Sequence, residues 1–174
     1  MISIVYVFWM YVILFATIGM LRGWAKELLV AFSVVVALTL NFLLRHFAPV
    51  VSTLPDNEVT LFWIREIVLI TLVYFGYQTV ISVARLQAGA RRERLQDSLF
   101  GFVLGGVNGY LVAGSTWSYL HSARYPFEKI FVVSKEVYNN LESIVAYMPP
   151  HLLGEPAIYF ASVIVLIFIL VVYV

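Results

Sequence analysis

Residues 2–21 read ISIVYVFWMYVILFATIGML, with no Asp, Glu, Lys, Arg or His among them. As helix, about 20 residues rise about 30 Å, the thickness of a bilayer's hydrocarbon core. No Lys or Arg precedes the run, and Arg22-Gly23-Trp24 follows it. A secretory signal would show a basic start, a shorter apolar stretch and a small-residue cleavage site. The run therefore reads as a retained membrane helix, with Trp9 and Tyr11 near its centre.

The rest of the chain repeats this pattern. Further apolar runs cover about 28–44, 61–83, 98–120 and 157–174. Of 174 residues, 62% are hydrophobic and 12% charged, and the mean hydropathy is +0.93. Soluble domains carry roughly 25% charged residues. A water-soluble fold of this size cannot hide so much apolar surface, so the bilayer must be the solvent. The expected fold is an all-α polytopic membrane protein, residues 1–174 forming one integral domain of five spans. These spans leave too little chain for a soluble catalytic domain.

The connections differ in character. Residues 47–60 hold Pro49, Pro55, Asp56 and Glu58, a short polar loop. Residues 85–96 hold Arg85, Arg91, Arg92 and Arg94. The longest connection, 121–156, contains an amphipathic stretch at about 127–148. There Ile130, Phe131, Val137, Tyr138, Leu141, Ile144, Val145 and Met148 recur at helical spacing, opposite Lys129, Lys135, Glu136, Asn139, Asn140 and Glu142. This predicts a helix on the membrane surface or against partner protein, ended by Pro149-Pro150. Lys and Arg favour cytoplasmic loops. Arg22, Lys26, Arg85, Arg91, Arg92 and Arg94 lie on one side, against Arg45, Arg124, Lys129 and Lys135 on the other. The expected orientation puts the N-terminus and the amphipathic helix outside and the C-terminus in the cytoplasm.

The chain has no cysteine, which excludes disulfides, thiolate metal sites and Cys nucleophiles. Its formal net charge of +1 provides no field for nucleic acid. His46, His121 and His151 lie at span ends or in loops, so axial ligation in the bilayer interior is not expected. No metalloprotease, P-loop or GxSxG pattern occurs. We expect no catalytic residue, metal or cofactor, and no soluble substrate is evident. Expected partners are membrane lipids and other membrane subunits or a second copy.

The fourth run carries the sharpest motif. Asp97 is followed by Gly101, Gly105 and Gly109 at four-residue spacing, with Ala113 continuing the stripe. Four residues return to nearly the same helix face, so the stripe forms a groove about 18 Å long. Without a hydrophobic drive in lipid, small-residue faces let two backbones approach closely. The groove takes either another helix of this chain or a second subunit. Asp97 suits an N-cap of its helix or a partner for Arg91, Arg92 or Arg94. Arg22-Gly23-Trp24-Ala25-Lys26-Glu27 reads as a tight turn, with Arg22 reaching headgroups and Lys26 and Glu27 pairing with the other basic loop. Arg65 and Glu66 point about 100° apart and read as interhelix or anchoring groups near a span end. Asn41, Gln78 and Asn108 read as interhelical hydrogen-bond formers.

Arg22-Gly23-x-x-Lys26-Glu27, together with Asp97 and its three glycines on a four-helix frame followed by a surface helix, resembles the CvpA (colicin V production protein) family. The resemblance covers about residues 1–148; the last span goes beyond the family core. A basic residue often precedes the last glycine in the family, where this chain has Asn108. The resemblance implies a bacterial inner-membrane protein linked to colicin export or envelope homeostasis, without enzymatic activity. It gives importance to Arg22, Gly23, Glu27, Asp97, Gly101, Gly105 and Gly109. The expected function is a scaffold or accessory subunit of an export apparatus or an energy-transducing complex, with a channel or transporter component as the alternative.

Overall fold

The structure, a computed structural model, describes residues 4–78, 94–127 and 135–173. Among them are eight helices and no strand: α1 (Ile4–Arg22), α2 (Trp24–Phe47), α3 (Pro49–Ser52), α4 (Val59–Gln78), α5 (Arg94–Ser122), α6 (Lys135–Val145), α7 (Pro149–Leu152) and α8 (Ala157–Tyr173). By length and composition α1, α2, α4 and Leu95–Ser122 of α5 can each cross a membrane, and α8 is a shorter apolar helix. The all-α membrane fold follows. In hydrocarbon every backbone N–H and C=O must be paired within the segment, and a helix does this alone.

The helices overrun the apolar runs. α2 begins at Trp24 and ends at Phe47, and α5 spans Arg94 to Ser122. Charged residues at a helix end cost little where water or headgroups reach them, so hydropathy understates helix length. Residues 79–83 of the expected third span, with Arg85, Arg91 and Arg92, lie outside the described residues. So do 128–134 of the amphipathic stretch, whose described helix is α6. Pro149-Pro150 does not simply terminate it: Met148 is extended and Pro149 opens α7. Proline's fixed φ suits a first helical turn, and its missing N–H would have been unpaired there anyway.

α5 is the central element, packing against α1 along its length and also against α2 and α4, while α2 packs on α4. Phe8, Val30, Val34, Leu38, Phe62, Leu69 and Trp117 contribute to the buried core. α8 runs antiparallel along α2. Its Phe168 ring lies 4.5 Å from Phe32, Ser162 Oγ 2.7 Å from Thr39 Oγ1, and the Tyr159 ring 5.6 Å from Phe42. At about 1.5 Å per residue, its 17 residues rise about 25 Å, at the short end of spanning helices. Two ends of the bundle follow from this topology. One holds the α1–α2 turn and the start of α5; the other holds α3, α6 and α7.

Candidate functional site

The α1–α2 turn is a single residue. Gly23 adopts φ 88°, a region open to glycine because it has no Cβ. Its N–H still donates to Gly19 O at 2.9 Å, and Trp24 starts the next helix at once. A glycine N-cap has no side chain to accept from the free N–H groups of the new helix. Asp97 supplies that acceptor from another helix: Trp24 N–H donates to Asp97 Oδ1 at 3.1 Å. Asp97 lies inside the first turn of α5, so the expected cap of its own helix is corrected to a cap of α2. Its carboxylate also stands where the positive ends of both helix dipoles meet.

Behind the turn lies a buried polar chain. Arg22 Nη1 pairs with Glu27 Oε1 at 2.7 Å, and Nη2 donates to Tyr77 O at 3.1 Å. The guanidinium lies 4.2 Å over the Tyr77 ring. Asn108 Nδ2 reaches both Glu27 O and Glu27 Oε2 at 2.8 Å. Both partners only accept, so the amide nitrogen must face them. Glu27 and Asn108 have no exposed surface. A buried carboxylate is tolerated when paired and hydrogen-bonded, and Glu27 meets both conditions. Two expectations change here. Arg22 turns in to Glu27 rather than out to headgroups. Glu27 pairs within its own hairpin; most of the loop expected to pair with Lys26, through residue 93, lies outside the described residues.

The glycine stripe faces α1. A Cβ on Gly101 would strike the Gly19 carbonyl oxygen; one on Gly105 would strike the Phe15 carbonyl oxygen and lie 2.9 Å from Gly19 Cα. On Gly109 it would lie 2.8 Å from Val12 Cα. The groove is thus filled by this chain's own first helix, with Gly19 as the glycine that answers it. Ala113 is partly buried against the core. The next small contact shifts to Gly114, where a Cβ would sit 2.7 Å from Pro149 Cδ, so α7 is seated there.

The opposite end holds a cavity of about 660 Å³ among α2, α4, α5, α6 and α7, lined in part by Asn41, Arg45, Arg65, Tyr119, Glu142 and His151. Asn41 Nδ2 donates to Arg65 O at 3.1 Å and to Tyr119 Oη at 3.2 Å. Arg45 donates to Val51 O and Leu54 O at 2.9 and 2.6 Å, closing the α2–α3 corner. Glu66 is buried, with Thr116 Oγ1 donating to its Oε1 at 2.9 Å. Beyond α5, burial pushes the Tyr125 hydroxyl above the usual phenol range. It stays protonated, accepting from Trp117 Nε1 at 3.1 Å. Neither end brings together three metal-ligating side chains among the described residues.

Sequence reasoning singled out the ends of these networks and missed their links. Gly19 and Tyr77 went unremarked, and Asn108 stood as an interhelical hydrogen-bond former without a named partner, which proves to be Glu27. Gly19 had a signal: with Phe15 and Gly23 it holds the four-residue spacing that faces the α5 stripe. Tyr77 had none, because its partner Arg22 lies 55 residues away along the chain.

No curated protein and no solved structure matches the chain. A family model described as colicin V production protein matches residues 4–134, which includes the Arg22–Glu27 turn, Asp97 and the three glycines. That match covers most of the chain, leaving α6, α7 and α8 outside it, and with the motif assembled around one turn it shows that this integral membrane protein belongs to the colicin V production protein family.

Proposed function

We propose that this chain is a non-enzymatic scaffold or accessory subunit of a larger assembly in the bacterial inner membrane. The motif residues support this reading by what they do locally. Arg22, Glu27, Asp97 and the glycines bind α1, α2 and α5 to one another, so the motif builds a platform.

The observation that carries a lateral partner is Tyr11. It is 43% exposed and lies about 3 Å along the axis from the midpoint of α1, at 1.5 Å per residue. A hydroxyl held in hydrocarbon without a partner costs roughly 2–7 kcal/mol. A helix of another subunit, offering a polar group at that depth, removes the cost. Leu14, exposed one turn further along the same face, extends the contact.

The test is extraction from native membranes in mild detergent, followed by size separation and mass spectrometry. Co-migration with a complex at fixed stoichiometry, loosened by Tyr11→Phe, supports the reading. Migration of the chain alone sinks it. The orientation proposed with this role puts the α1–α2 turn in the cytoplasm. A membrane-impermeant thiol reagent should then label Asn140→Cys in intact spheroplasts and Lys26→Cys only after permeabilisation; the reverse pattern inverts the topology.

A second reading, a transporter component, is favoured by Glu66. Its Oε2 is buried without a hydrogen-bond partner, an arrangement found along ion and proton paths. Flux through liposomes holding the purified chain, lost in Glu66→Gln, would favour it over the scaffold.

A further inference from the structure

The cavity at the α6–α7 end contains a cation with most of its donors free. The Arg65 side chain is 18% exposed and sits 3.7 Å from Asp56. Asp56 itself lies closer to Arg45, at 3.1 Å, and is 72% exposed, so solvent screens its pull on Arg65. The other contact of the guanidinium is the Tyr119 ring, 5.6 Å away. Arg45 differs, since two backbone carbonyls hold it. Arg65 donates no hydrogen bond among the described residues, although a guanidinium carries five N–H donors in a planar fork. Such a group, withdrawn from bulk water, is suited to phosphate or carboxylate oxygens.

Glu142, on α6, lines the same cavity. It is exposed and forms no ion pair among the described residues. A cation that donates no hydrogen bond and a carboxylate that forms no ion pair among the described residues thus line one space. Its volume of about 660 Å³ falls within the roughly 300–1,000 Å³ of ligand pockets. A simple anion would satisfy Arg65 and be repelled by Glu142 and by Asp56, which lines the same cavity; a simple cation would do the opposite. A molecule carrying both charges satisfies both walls.

We propose that this cavity binds a zwitterionic head group, its phosphate or carboxylate oxygens on Arg65 and its ammonium N–H groups on Glu142. Arg65 lies six residues into α4, about 9 Å along its axis. That depth suits the head of an aminophospholipid entering from the membrane, and equally a free zwitterion entering from water. The chemistry recognised is the same in both cases.

The full chain, purified and stripped of lipid, decides this. One arm titrates it with O-phosphoethanolamine by calorimetry. The other places it in nanodiscs of phosphatidylethanolamine or phosphatidylcholine and counts retained lipids by native mass spectrometry. Choline has no N–H to donate, so wild type should retain phosphatidylethanolamine at least tenfold better. Binding of the soluble probe without that lipid preference assigns the site to a free zwitterion; the lipid preference assigns it to the membrane. Arg65→Gln should weaken whichever ligand binds at least tenfold. Glu142→Gln should abolish the preference for ethanolamine over choline heads. If Arg65→Gln does not fold, judged by circular dichroism and elution as a single species, the exposed Glu142→Gln decides alone. The proposal is overturned if the folded wild type neither binds phosphoethanolamine nor separates the two lipids. It is equally overturned if ligand binding is unchanged in the folded variants.

Discussion

The carboxylate of Asp97, in α5, accepts the backbone N–H of Trp24, the first residue of α2, at 3.1 Å. A helix whose N-cap is glycine is thereby capped from a residue 73 positions away. The position that needs φ 88° for the turn lacks the side chain a cap requires, and Asp97 fills that place. Gly23 itself has no room for one: a Cβ there would lie 2.8 Å from Asp97 Oδ2.

Loss of this cap is measurable. Removing an N-cap acceptor costs about 1 kcal/mol, and up to about 2. Asp97→Ala should lower the unfolding midpoint in detergent by that amount, followed by circular dichroism. Asp97→Asn keeps an acceptor and should lose less than half as much. Equal losses in the two variants would mean that charge, and not the hydrogen bond, holds the turn.

The α1–α5 contact gives a paired test on neighbouring glycines. A Cβ at Gly105 meets backbone, the Phe15 carbonyl and Gly19 Cα, and backbone cannot rotate away. One at Gly106 meets Ala16 Cβ at 3.6 Å, an ordinary contact. Overpacking costs about 1–3 kcal/mol. Gly105→Ala should therefore destabilise the purified chain by at least about 1 kcal/mol, while Gly106→Ala leaves its thermal midpoint near wild type. If Gly105→Ala is harmless to the isolated protein, the stripe is not packed on α1 as described.

Asn108 tests the sign of charge behind the turn. It donates twice to Glu27, and both residues are fully buried. Asn108→Asp nearly preserves shape but sets a carboxylate against a carboxylate. Asn108→Ala removes both donated hydrogen bonds and leaves Arg22 paired with Glu27. Breaking a buried charge contact costs roughly 3–5 kcal/mol, so the aspartate should be the worse variant by thermal unfolding, despite being the closer isostere. An aspartate milder than alanine would show that Glu27 is not ionised against Arg22.

The α2–α8 pairing can be trapped covalently, because the chain has no native cysteine. Thr39 Oγ1 and Ser162 Oγ lie 2.7 Å apart. Thr39→Cys with Ser162→Cys should form a disulfide on mild oxidation, seen as a mass loss of about 2 Da, since a disulfide forms where Cβ atoms lie roughly 3.5–4.5 Å apart. Thr39→Cys with Val163→Cys, moved round the helix by about 100°, should not. Failure of the first pair would place α8 away from α2.

The sequence by itself determined the solvent and the class of fold. Runs such as 2–21 carry no charge over a bilayer's thickness, and lipid leaves an uncharged run only the helix as a way to pair its backbone. The four-residue spacing of Gly101, Gly105 and Gly109 was legible for the same reason, since helix periodicity is a local property. So was the turn at Gly23. Which of the two candidate occupants fills the glycine groove was not decided by the sequence: Gly19 holds the matching spacing, but only packing brings its helix to the groove. Nor was the role of Asp97, nor the residue that Asn108 reaches. Their partners, Trp24 and Glu27, are 73 and 81 residues away, and a polar residue in a span discloses its partner only once the helices have packed. The cavity between Arg65 and Glu142 is the plainest case. Neither residue belongs to a motif, and only the convergence of five helix ends brings the Arg65 guanidinium and the Glu142 carboxylate to the lining of one space.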